Sequence, residues 1–408
     1  MSGSLLLVLP SVLSRTSRGL EIDVDLAEGI RLYLESFDEV TVACPVTVNV
    51  LDSGLKRTLP VDDLPNKQRV RCLPLPDGYK WRSFLSSYSQ ASSILKAAIA
   101  KSDHLIVSPH TLIGDWPTVA VRHAISLGKP YVIEADVVYE TVAKAGAGYN
   151  PSLGKRIKLH ATNMIFRRLH RYCLKHSSLA LFQGQDVYDA YAPFCRLPYK
   201  VYHMTISKKD HIADVELEEK LASVSTERPM KLCYIGRAIE MKGPIGWLET
   251  ISAMIKEGIR LHATWLGDGS LLPEMRSAAE AMGISAHVDL PGFVGDRHVI
   301  QKTLREADIL LFCHKTKESA RIFGEALASG CPIVGYGSAY PKELVEQHGG
   351  GVFVEVGDRR GLATAVRRLA QDPTALRELI RSASLSGRLF DRDSLMQRRI
   401  DLIKQHAV

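Results

Sequence analysis

The chain has 408 residues, of which 46% are hydrophobic and 24% charged, close to the values of ordinary globular proteins. This composition excludes collagen-like, low-complexity and largely disordered classes, and the length predicts two domains. The 52 Lys and Arg against 45 Asp and Glu give a formal charge of +7. The segment from Lys155 to His176 has seven basic and no acidic residues, so the rest of the chain is formally neutral.

Short apolar runs alternate with amphipathic stretches through the first half of the chain. The pattern predicts strands at 5–9, 40–44, 104–108, 131–133 and 179–182. It predicts helices at 24–35, 84–100, 118–127 and along the basic segment 155–176. Strands that alternate with helices indicate βαβ units and a parallel sheet.

A second α/β pattern follows a charged, polar stretch at 207–230, which we predict to be the interdomain linker. Its strands are predicted at 231–235, 261–266, 288–290, 309–312, 333–336 and 352–354. Its helices are predicted at 245–256, 272–281, 299–307, 323–329, 361–369 and 391–404. The predicted fold is α/β, with doubly wound Rossmann-like domains at 1–206 and 231–390 and a terminal segment at 391–408. Ligands bind such sheets at the carboxyl ends of the strands, so the central crevice between the domains is the expected site.

The seven cysteines are never closer than 18 residues, a spacing that matches no zinc or redox motif. We expect buried free thiols in a reducing compartment. The apolar run at 5–9 is too short for a signal peptide, and no run of 18 apolar residues occurs. A cytoplasmic location is therefore expected, with a peripheral contact at the inner membrane face left open.

Two basic residues follow the first strand of the second unit. Gly236 and Arg237 end this strand, and Lys242 comes at the approach to the next helix. Arg offers a fork of donors and Lys a point charge, a combination that suits a diphosphate. An ordinary strand-to-helix turn with solvated charges is the alternative.

Two further strand ends in the second unit carry glycines. They are Gly267-Asp268-Gly269 and Gly292-Phe293. Glycines let a backbone approach a ligand closely, and Asp268 either caps the following turn or meets a sugar hydroxyl. A plain turn is the alternative for each.

The block from Glu318 to Val334 is the most informative. Ser319 is predicted to cap a helix that carries Glu325 and ends at Gly330. The free N–H groups of a helix start can receive phosphate or sugar oxygens. Glu318 and Glu325 are about two turns apart, so we expect both carboxylates on one face, accepting hydrogen bonds from a polyol. A solvated helix with paired acids is the alternative.

This ordered series of motifs resembles the nucleotide-sugar domain of the family 4 glycosyltransferases, which have the GT-B fold, and the resemblance covers nearly all of 231–406. It implies that Arg237 and Lys242 bind the donor diphosphate and that Glu325 holds the ribose. The family spacing places Lys317 at the first acidic position; we assign that position, which contacts the donor sugar, to Glu318, one residue closer to Glu325. The nucleotide-sugar site is predicted to comprise Gly236, Arg237, Lys242, Gly267, Asp268, Gly269, Phe293, Ser319, Arg321 and Glu325.

The amino-terminal half resembles the family through its order of elements. Family members often have a His after the strand at 131–136, where this chain has Asp136 or Glu134. His110, after the strand at 104–108, also faces the expected crevice. We predict Glu318, Asp136 and His110 as catalytic residues; capping or acceptor positioning is the alternative for the last two.

The resemblance implies a retaining transferase that moves a sugar from a nucleotide-diphosphate donor to a saccharide or lipid-linked saccharide, in polysaccharide or glycolipid assembly. Cations on the diphosphate would stabilise the charge that develops as the glycosidic bond breaks. No metal and no other cofactor is expected, because Arg237 and Lys242 take the place of a metal. A nucleotide-sugar 2-epimerase and an inactive nucleotide-sugar-binding homologue are the alternatives.

The basic segment Lys155–Lys175 allows three interpretations. Its apolar residues recur at helical spacing, which predicts a helix packed on the first sheet with a solvated basic face. They are Ile157, Ala161, Met164, Ile165, Leu169, Tyr172 and Cys173. A surface for anionic lipids is the second interpretation. Nucleic acid is the third, and it is not favoured, since no aromatic interleaving or known module supports it.

Overall fold

The computed structural model describes residues 3–47, 58–78, 81–110, 114–141 and 152–407, apart from the side chain of Lys155. Two sheets covered by helices occupy these ranges. The strands of the first are β1 (Ser4–Val8), β2 (Leu13–Thr16), β3 (Gly19–Asp23), β4 (Glu39–Thr47), β5 (Thr58–Pro60), β6 (Val70–Leu75), β7 (His104–Val107), β8 (Val132–Ala135), β9 (Leu179–Gln183) and β10 (Pro198–Val201). The strands of the second are β11 (Met230–Ile235), β12 (Leu261–Leu266), β13 (Val288–Gly292), β14 (Ile309–Phe312), β15 (Ile333–Tyr336) and β16 (Gly351–Val354).

The first sheet is a parallel, doubly wound sheet with an antiparallel extension. Its parallel strands lie in the order β6-β4-β1-β7-β8-β9-β10. The end of β4 also pairs with β2, which continues through β3 to β5. The strand order reverses between β1 and β7. Both faces of β1 are covered, which explains why it reads as a continuous apolar run.

The second sheet has the order β13-β12-β11-β14-β15-β16, and all of its pairings are parallel. This is the strand order of a Rossmann fold, with the reversal between β11 and β14. The two predicted doubly wound units are therefore confirmed. The reversal places the ends of β11 and β14, after Ile235 and Phe312, beside each other at the carboxyl edge.

Fourteen α-helices are assigned within the described ranges. They are α1 (Val24–Tyr33), α2 (Trp81–Lys101), α3 (Trp116–Ser126), α4 (Leu153–His176), α5 (Gln185–Tyr191), α6 (Asp214–Ser223), α7 (Pro244–Lys256), α8 (Leu272–Ala281), α9 (Arg297–Glu306), α10 (Ile322–Ala328), α11 (Ala339–Leu344), α12 (Arg359–Gln371), α13 (Pro373–Gly387) and α14 (Arg392–His406). Two apolar clusters cover the first sheet, and one large cluster surrounds the second. In the described part, no helix is long and apolar enough to span a bilayer.

The last helix returns to the first unit. Ile400 and Ile403 of α14 are fully or almost fully buried in the cluster that contains Leu5 and Leu7 of β1. An ion pair of 3.3 Å joins Arg399 to Glu134 at the end of β8. The chain therefore links the two units twice, once near 202–213 and once before α14.

The segment 207–230, which we expected to be a linker, contains helix α6. Leu217 and Leu221, one turn apart, are buried in the cluster of the second unit. The helix was not predicted because the segment has many charged residues and only a few apolar ones, so its composition resembles that of a linker. The free thiols predicted from the spacing are observed: Cys72 and Cys195 are half-buried and the other five are buried.

The apolar stripe predicted to pack the basic helix α4 on the sheet is correct at Cys173, which is buried, and wrong for most of its other residues, which are exposed. Ile157 is 62% exposed and Ile165 is 52% exposed. Phe166, His170 and Leu174, which the prediction did not include, form the buried side together with Cys173. Helix α4 therefore presents large apolar side chains together with its cations at the surface.

Candidate active site

Hydrogen bonds between backbone groups join the turns after β11, β12 and β13. The Gly236 N–H donates to the carbonyl of Leu266 over 3.0 Å, and the Gly267 N–H donates to the carbonyl of Gly292 over 2.9 Å. A Cβ at Gly267 would collide with the Gly236 carbonyl oxygen, and a Cβ at Gly269 with that of Ala238. These glycines therefore serve the close approach of neighbouring turns.

Lys242 is held at this edge by a tight turn. The 3-10 turn Glu240–Lys242 leads to Gly243, whose φ of +66° favours glycine, and α7 begins directly after it. The Lys315 N–H donates to the carbonyl of Met241 over 2.9 Å, which ties the turn to the segment after β14. The Lys242 ammonium forms an ion pair of 2.7 Å with Glu318. Its side chain is 12% exposed, and burial lowers the pKa of Lys242 although Glu318 opposes the shift.

Glu318 lies in an extended segment, not on a helix. It forms an isolated antiparallel bridge with Val137 of the first unit. The Ser319 N–H donates to the carbonyl of Asp136, and the Val138 N–H donates to the carbonyl of Lys317, each over 3.3 Å. The prediction that Glu318 and Glu325 share one helical face is therefore wrong. The first unit holds the segment instead.

A buried histidine that the sequence analysis missed lies beside Glu318. His314 Nδ1 is 3.3 Å from Glu318 Oε1, and His314 Nε2 is 2.6 Å from the Tyr234 hydroxyl. Burial, with the nearby Lys242, lowers the pKa of His314 well below its usual value, and burial raises the pKa of Tyr234. The signal available was a His two residues after strand β14, where the sheet reverses.

Glu325 is on α10, and its carboxylate accepts a hydrogen bond from the Thr205 hydroxyl. The helix begins at Ile322, with Arg321 as N-cap residue and no side-chain cap. The prediction that Ser319 caps it is wrong, because the Ser319 hydroxyl donates to the carbonyl of Gln183 in the first unit. The chain turns through Ala320 and Arg321 before the helix starts, which separates Ser319 from it.

Arg321 reaches across to the first unit. Its guanidinium forms an ion pair of 2.7 Å with Asp25, in the first turn of α1. Arg321 and Ser319 thus both contact the first unit. Their predicted roles toward a nucleotide sugar stay predictions.

The two candidates in the first unit have different surroundings. The Asp136 side chain is exposed, and its carbonyl contacts the segment that carries Glu318. His110 is also exposed, and its N–H donates to Asp115 over 2.9 Å. Its ring meets Tyr139 edge-on at 5.0 Å. The structure therefore brings Asp136 and Glu318 onto adjoining segments and places His110 beside Tyr139. The alternative to Asp136, Glu134, pairs with Arg399.

The remaining predicted residues lie on the turns after β11, β12 and β13. Arg237 is exposed beyond Ile235, and Phe293 is 45% exposed just after β13. The Asp268 carboxylate accepts a hydrogen bond of 2.7 Å from the Gly269 N–H, as expected for a turn cap. The guanidinium of Arg237 and the ring of Phe293 are therefore accessible to a ligand at this edge of the sheet.

Two Asp-x-Asp tripeptides occur in the chain, a spacing that can hold a metal-bound diphosphate, and both begin helices. Asp23 accepts hydrogen bonds from Asp25 N and Leu26 N at the start of α1. Asp391 accepts from Ser394 N and the Ser394 hydroxyl at the start of α14. Among the described residues, no group of three or more His, Cys, Asp or Glu side chains is arranged to hold a metal ion.

Comparisons with known proteins agree with this fold. Residues 216–385 match the family model of glycosyl transferases group 1. The lipopolysaccharide core biosynthesis glycosyltransferase LpsE of Rhizobium meliloti (strain 1021) is 26% identical over 139 residues, 34% of this chain and 38% of LpsE. The amylovoran biosynthesis glycosyltransferase AmsK of Erwinia amylovora is 28% identical over 150 residues, 35% of this chain and 37% of AmsK. The match thus spans little more than a third of each relative's length.

The structural likeness extends over the whole chain. HepE of Anabaena, solved with UDP and with UDP-glucose, has a TM-score of 0.67 in its UDP complex, at 13% identity, and the match covers 99% of this chain and 100% of HepE. This likeness confirms the predicted GT-B fold of two Rossmann-like units. The match of residues 216–385 to the group 1 glycosyltransferase model agrees with the resemblance that the motifs indicated.

Proposed function

We propose that this protein transfers a sugar from a nucleotide-diphosphate donor to a saccharide or lipid-linked saccharide, in the assembly of a polysaccharide or glycolipid. The cluster at the carboxyl edge of the second sheet carries this proposal. Lys242 is fixed there by Glu318, 2.7 Å away, and Arg237 is exposed on the neighbouring turn. Two cations at the edge where such sheets bind ligands suit a diphosphate. The UDP complex of HepE and the polysaccharide names of LpsE and AmsK support it.

In this proposal Arg237 and Lys242 stabilise the charge that the leaving diphosphate gains, and no metal is required. Glu325, part of the second unit, would hold the ribose. Asp136 and His110 of the first unit would position the acceptor hydroxyl, and the reaction would retain the anomeric configuration. Proton NMR of the first product formed tests the stereochemistry. Activity that is lost in EDTA and restored by Mg²⁺ would contradict the metal-independent part.

Donor binding is tested by titrating UDP, GDP and ADP into the protein by calorimetry and by following the melting temperature. A ligand that binds the folded state raises that temperature. Arg237→Ala, Lys242→Ala and Glu325→Ala should each weaken binding of the accepted nucleotide by more than tenfold. The controls are Lys256→Ala and Glu274→Ala, exposed positions on α7 and α8. Full binding by all three site variants would reject the site.

Turnover separates the alternatives. Sugar transferred to an added acceptor supports the transferase. An isomerised donor without acceptor would identify a nucleotide-sugar 2-epimerase, and binding without either product would identify an inactive homologue.

We propose further that helix α4 docks on an anionic membrane surface at the inner face of the cytoplasmic membrane. The exposed cations Arg156, Lys158 and Arg168 share this helix with exposed Ile157 and Ile165, and the helix has no acidic residue. Apolar side chains that insert at the headgroup level beside cations suit an interfacial helix. An acceptor carried on a lipid would then be presented to the first unit.

Co-sedimentation with phosphatidylglycerol vesicles tests this docking. Each cation near an anionic surface contributes about 1 kcal/mol, so R156Q/K158Q/R168Q should weaken binding about a hundredfold. The variant K209Q/K256Q/K302Q removes the same charge from other exposed positions and should bind like the wild type. Ile157→Ser with Ile165→Ser should also weaken binding. Equal losses of vesicle binding in both charge variants would show that the net charge of the protein drives binding and not helix α4. Unchanged vesicle binding by the α4 charge variant would exclude docking through this helix.

A further inference from the structure

Four buried or nearly buried side chains form a chain of contacts at the candidate site, from Tyr234 through His314 and Glu318 to Lys242. The Tyr234 hydroxyl contacts His314 Nε2 at 2.6 Å, and His314 Nδ1 lies 3.3 Å from Glu318 Oε1. The other carboxylate oxygen, Glu318 Oε2, accepts from Lys242 at 2.7 Å. Tyr234, His314 and Glu318 are 0%, 5% and 8% exposed, so solvent does not substitute for these contacts.

The proton positions in this chain follow from the acceptors. The pKa of Tyr234 is raised by burial, so its phenol keeps the proton and donates it to His314 Nε2. His314 is neutral because burial and Lys242 lower its pKa. Its single N–H is then on Nδ1, the ring nitrogen that lies 3.3 Å from Glu318 Oε1. The other tautomer would set the Nδ1 lone pair against the carboxylate oxygens.

The imidazole has little freedom to leave this arrangement. The rings of Phe312 and Phe323 lie 5.4 and 5.2 Å from it, centroid to centroid, and that of Tyr234 lies at 5.6 Å. His314 thus restrains one carboxylate oxygen of Glu318, and the other oxygen restrains the ammonium. The Thr316 hydroxyl adds a longer contact of 3.4 Å to Oε1.

We propose that His314 is a positioning residue, oriented by Tyr234, which holds the Glu318 carboxylate so that Lys242 keeps its charge and its direction at the carboxyl edge of the sheet. This inference rests on the proposed function, since it gives Lys242 the diphosphate as its ligand. It also assigns Glu318 to the support of a cation, not to direct contact with a sugar.

The experiment measures the reactivity of Lys242 in the protein without nucleotide. Acetic anhydride at low concentration acetylates amines, and peptide mass spectrometry reports the rate at Lys242 alone. His314→Phe keeps a ring in the aromatic pocket but removes both nitrogens; it should raise the Lys242 rate at least threefold, because a loosened Glu318 protects the amine less. His314→Asn places an amide N–H near the position of Nδ1, and it should stay within twofold of the wild type. His298→Phe, at an exposed position on α9, is the matched control.

The dissociation constant of the accepted nucleoside diphosphate is then measured for the same variants. His314→Phe should weaken binding about tenfold, and His314→Asn should restore most of it. If His314→Phe does not fold, Tyr234→Phe tests the same chain and should raise the Lys242 rate by a smaller factor. A wild-type rate in the Phe variant that is used, or a rate in His314→Asn equal to that of His314→Phe, would overturn the proposal. If UDP, GDP and ADP all fail to bind the wild type, the proposed function fails, while the acetylation series still decides the role of His314.

Discussion

The ion pair between Lys242 and Glu318 should make a large and pH-dependent contribution to the stability of the second unit. The perturbation is Glu318→Gln, which keeps an oxygen for His314 but removes the negative charge beside Lys242. Lys242 is 12% exposed and Glu318 8% exposed, so water cannot replace the lost partner. Breaking one side of a buried pair costs about 3–5 kcal/mol. The loss cannot exceed the cost of deprotonating Lys242, because the folded variant can release that proton instead of burying an unpaired charge. Deprotonation costs about 5 kcal/mol at pH 7 for an amine of ordinary pKa near 10.4.

The pH dependence of this loss has a definite sign. The pKa of Lys242 is already lowered by burial, and removal of Glu318 lowers it further. A folded state that binds the proton less tightly than the unfolded state gains stability as pH rises. Once Lys242 is neutral in folded Glu318→Gln, the difference in unfolding free energy between the variant and the wild type should shrink by about 1.4 kcal/mol per pH unit between pH 7 and 9.

Urea denaturation followed by tryptophan fluorescence measures this loss, since Trp247 and Trp265 are fully buried in the second unit. The matched control is Glu306→Gln, which breaks an exposed pair of 3.8 Å with Lys302 and should cost about 0.5 kcal/mol or less. Equal losses in the two variants at pH 7, or a deficit that does not narrow toward pH 9, would refute the reasoning.

Three further predictions concern positions outside this pair. His170 is buried, and burial lowers its pKa to about 4. The stability that depends on its neutral form is therefore complete above pH 6.5 and falls by about 3 kcal/mol toward pH 4. The urea-measured stability of His170→Phe should change less between pH 7 and 5 than that of the wild type, and parallel pH profiles of the two proteins would contradict this. Gly267→Ala should destabilise the second unit strongly because its Cβ would strike the Gly236 carbonyl, whereas Gly246→Ala on α7 has open space and should stabilise it by about 0.5–1 kcal/mol; thermal melts compare the two. Ile403→Ala should cost about 2–5 kcal/mol because Ile403 is fully buried against the first sheet, and a loss no larger than that of an exposed α14 substitution such as Gln397→Ala would show that this contact contributes little to stability.

The parallel strands were predictable because their apolar runs are short and alternate with amphipathic stretches, and several of them are followed by a glycine. The strand predicted at 261–266 is Leu261–Leu266, and the one predicted at 231–235 begins one residue earlier. The hairpin Leu13–Thr16 and Gly19–Asp23 was missed, since half of it is polar and it extends the sheet at an edge. Strand Val70–Leu75 was missed because it carries Arg71 and Pro74, which an edge position tolerates. Tertiary position, not local pattern, decided these elements.

The shortened spacing between Glu318 and Glu325 has a structural reason that counting residues along a helix could not provide. Glu318 is placed by its bridge with Val137, by backbone hydrogen bonds to Asp136 and Val138, and by the contact with His314. Glu325 is placed by α10. A residue more or fewer between them changes the turn that joins the two segments, but it need not move either carboxylate. Of the two candidates for the first acidic position, Glu318 is the one that reaches Lys242, while the Lys317 ammonium lies 3.8 Å from Asp186. The assignment of Glu318 to that position stays a prediction.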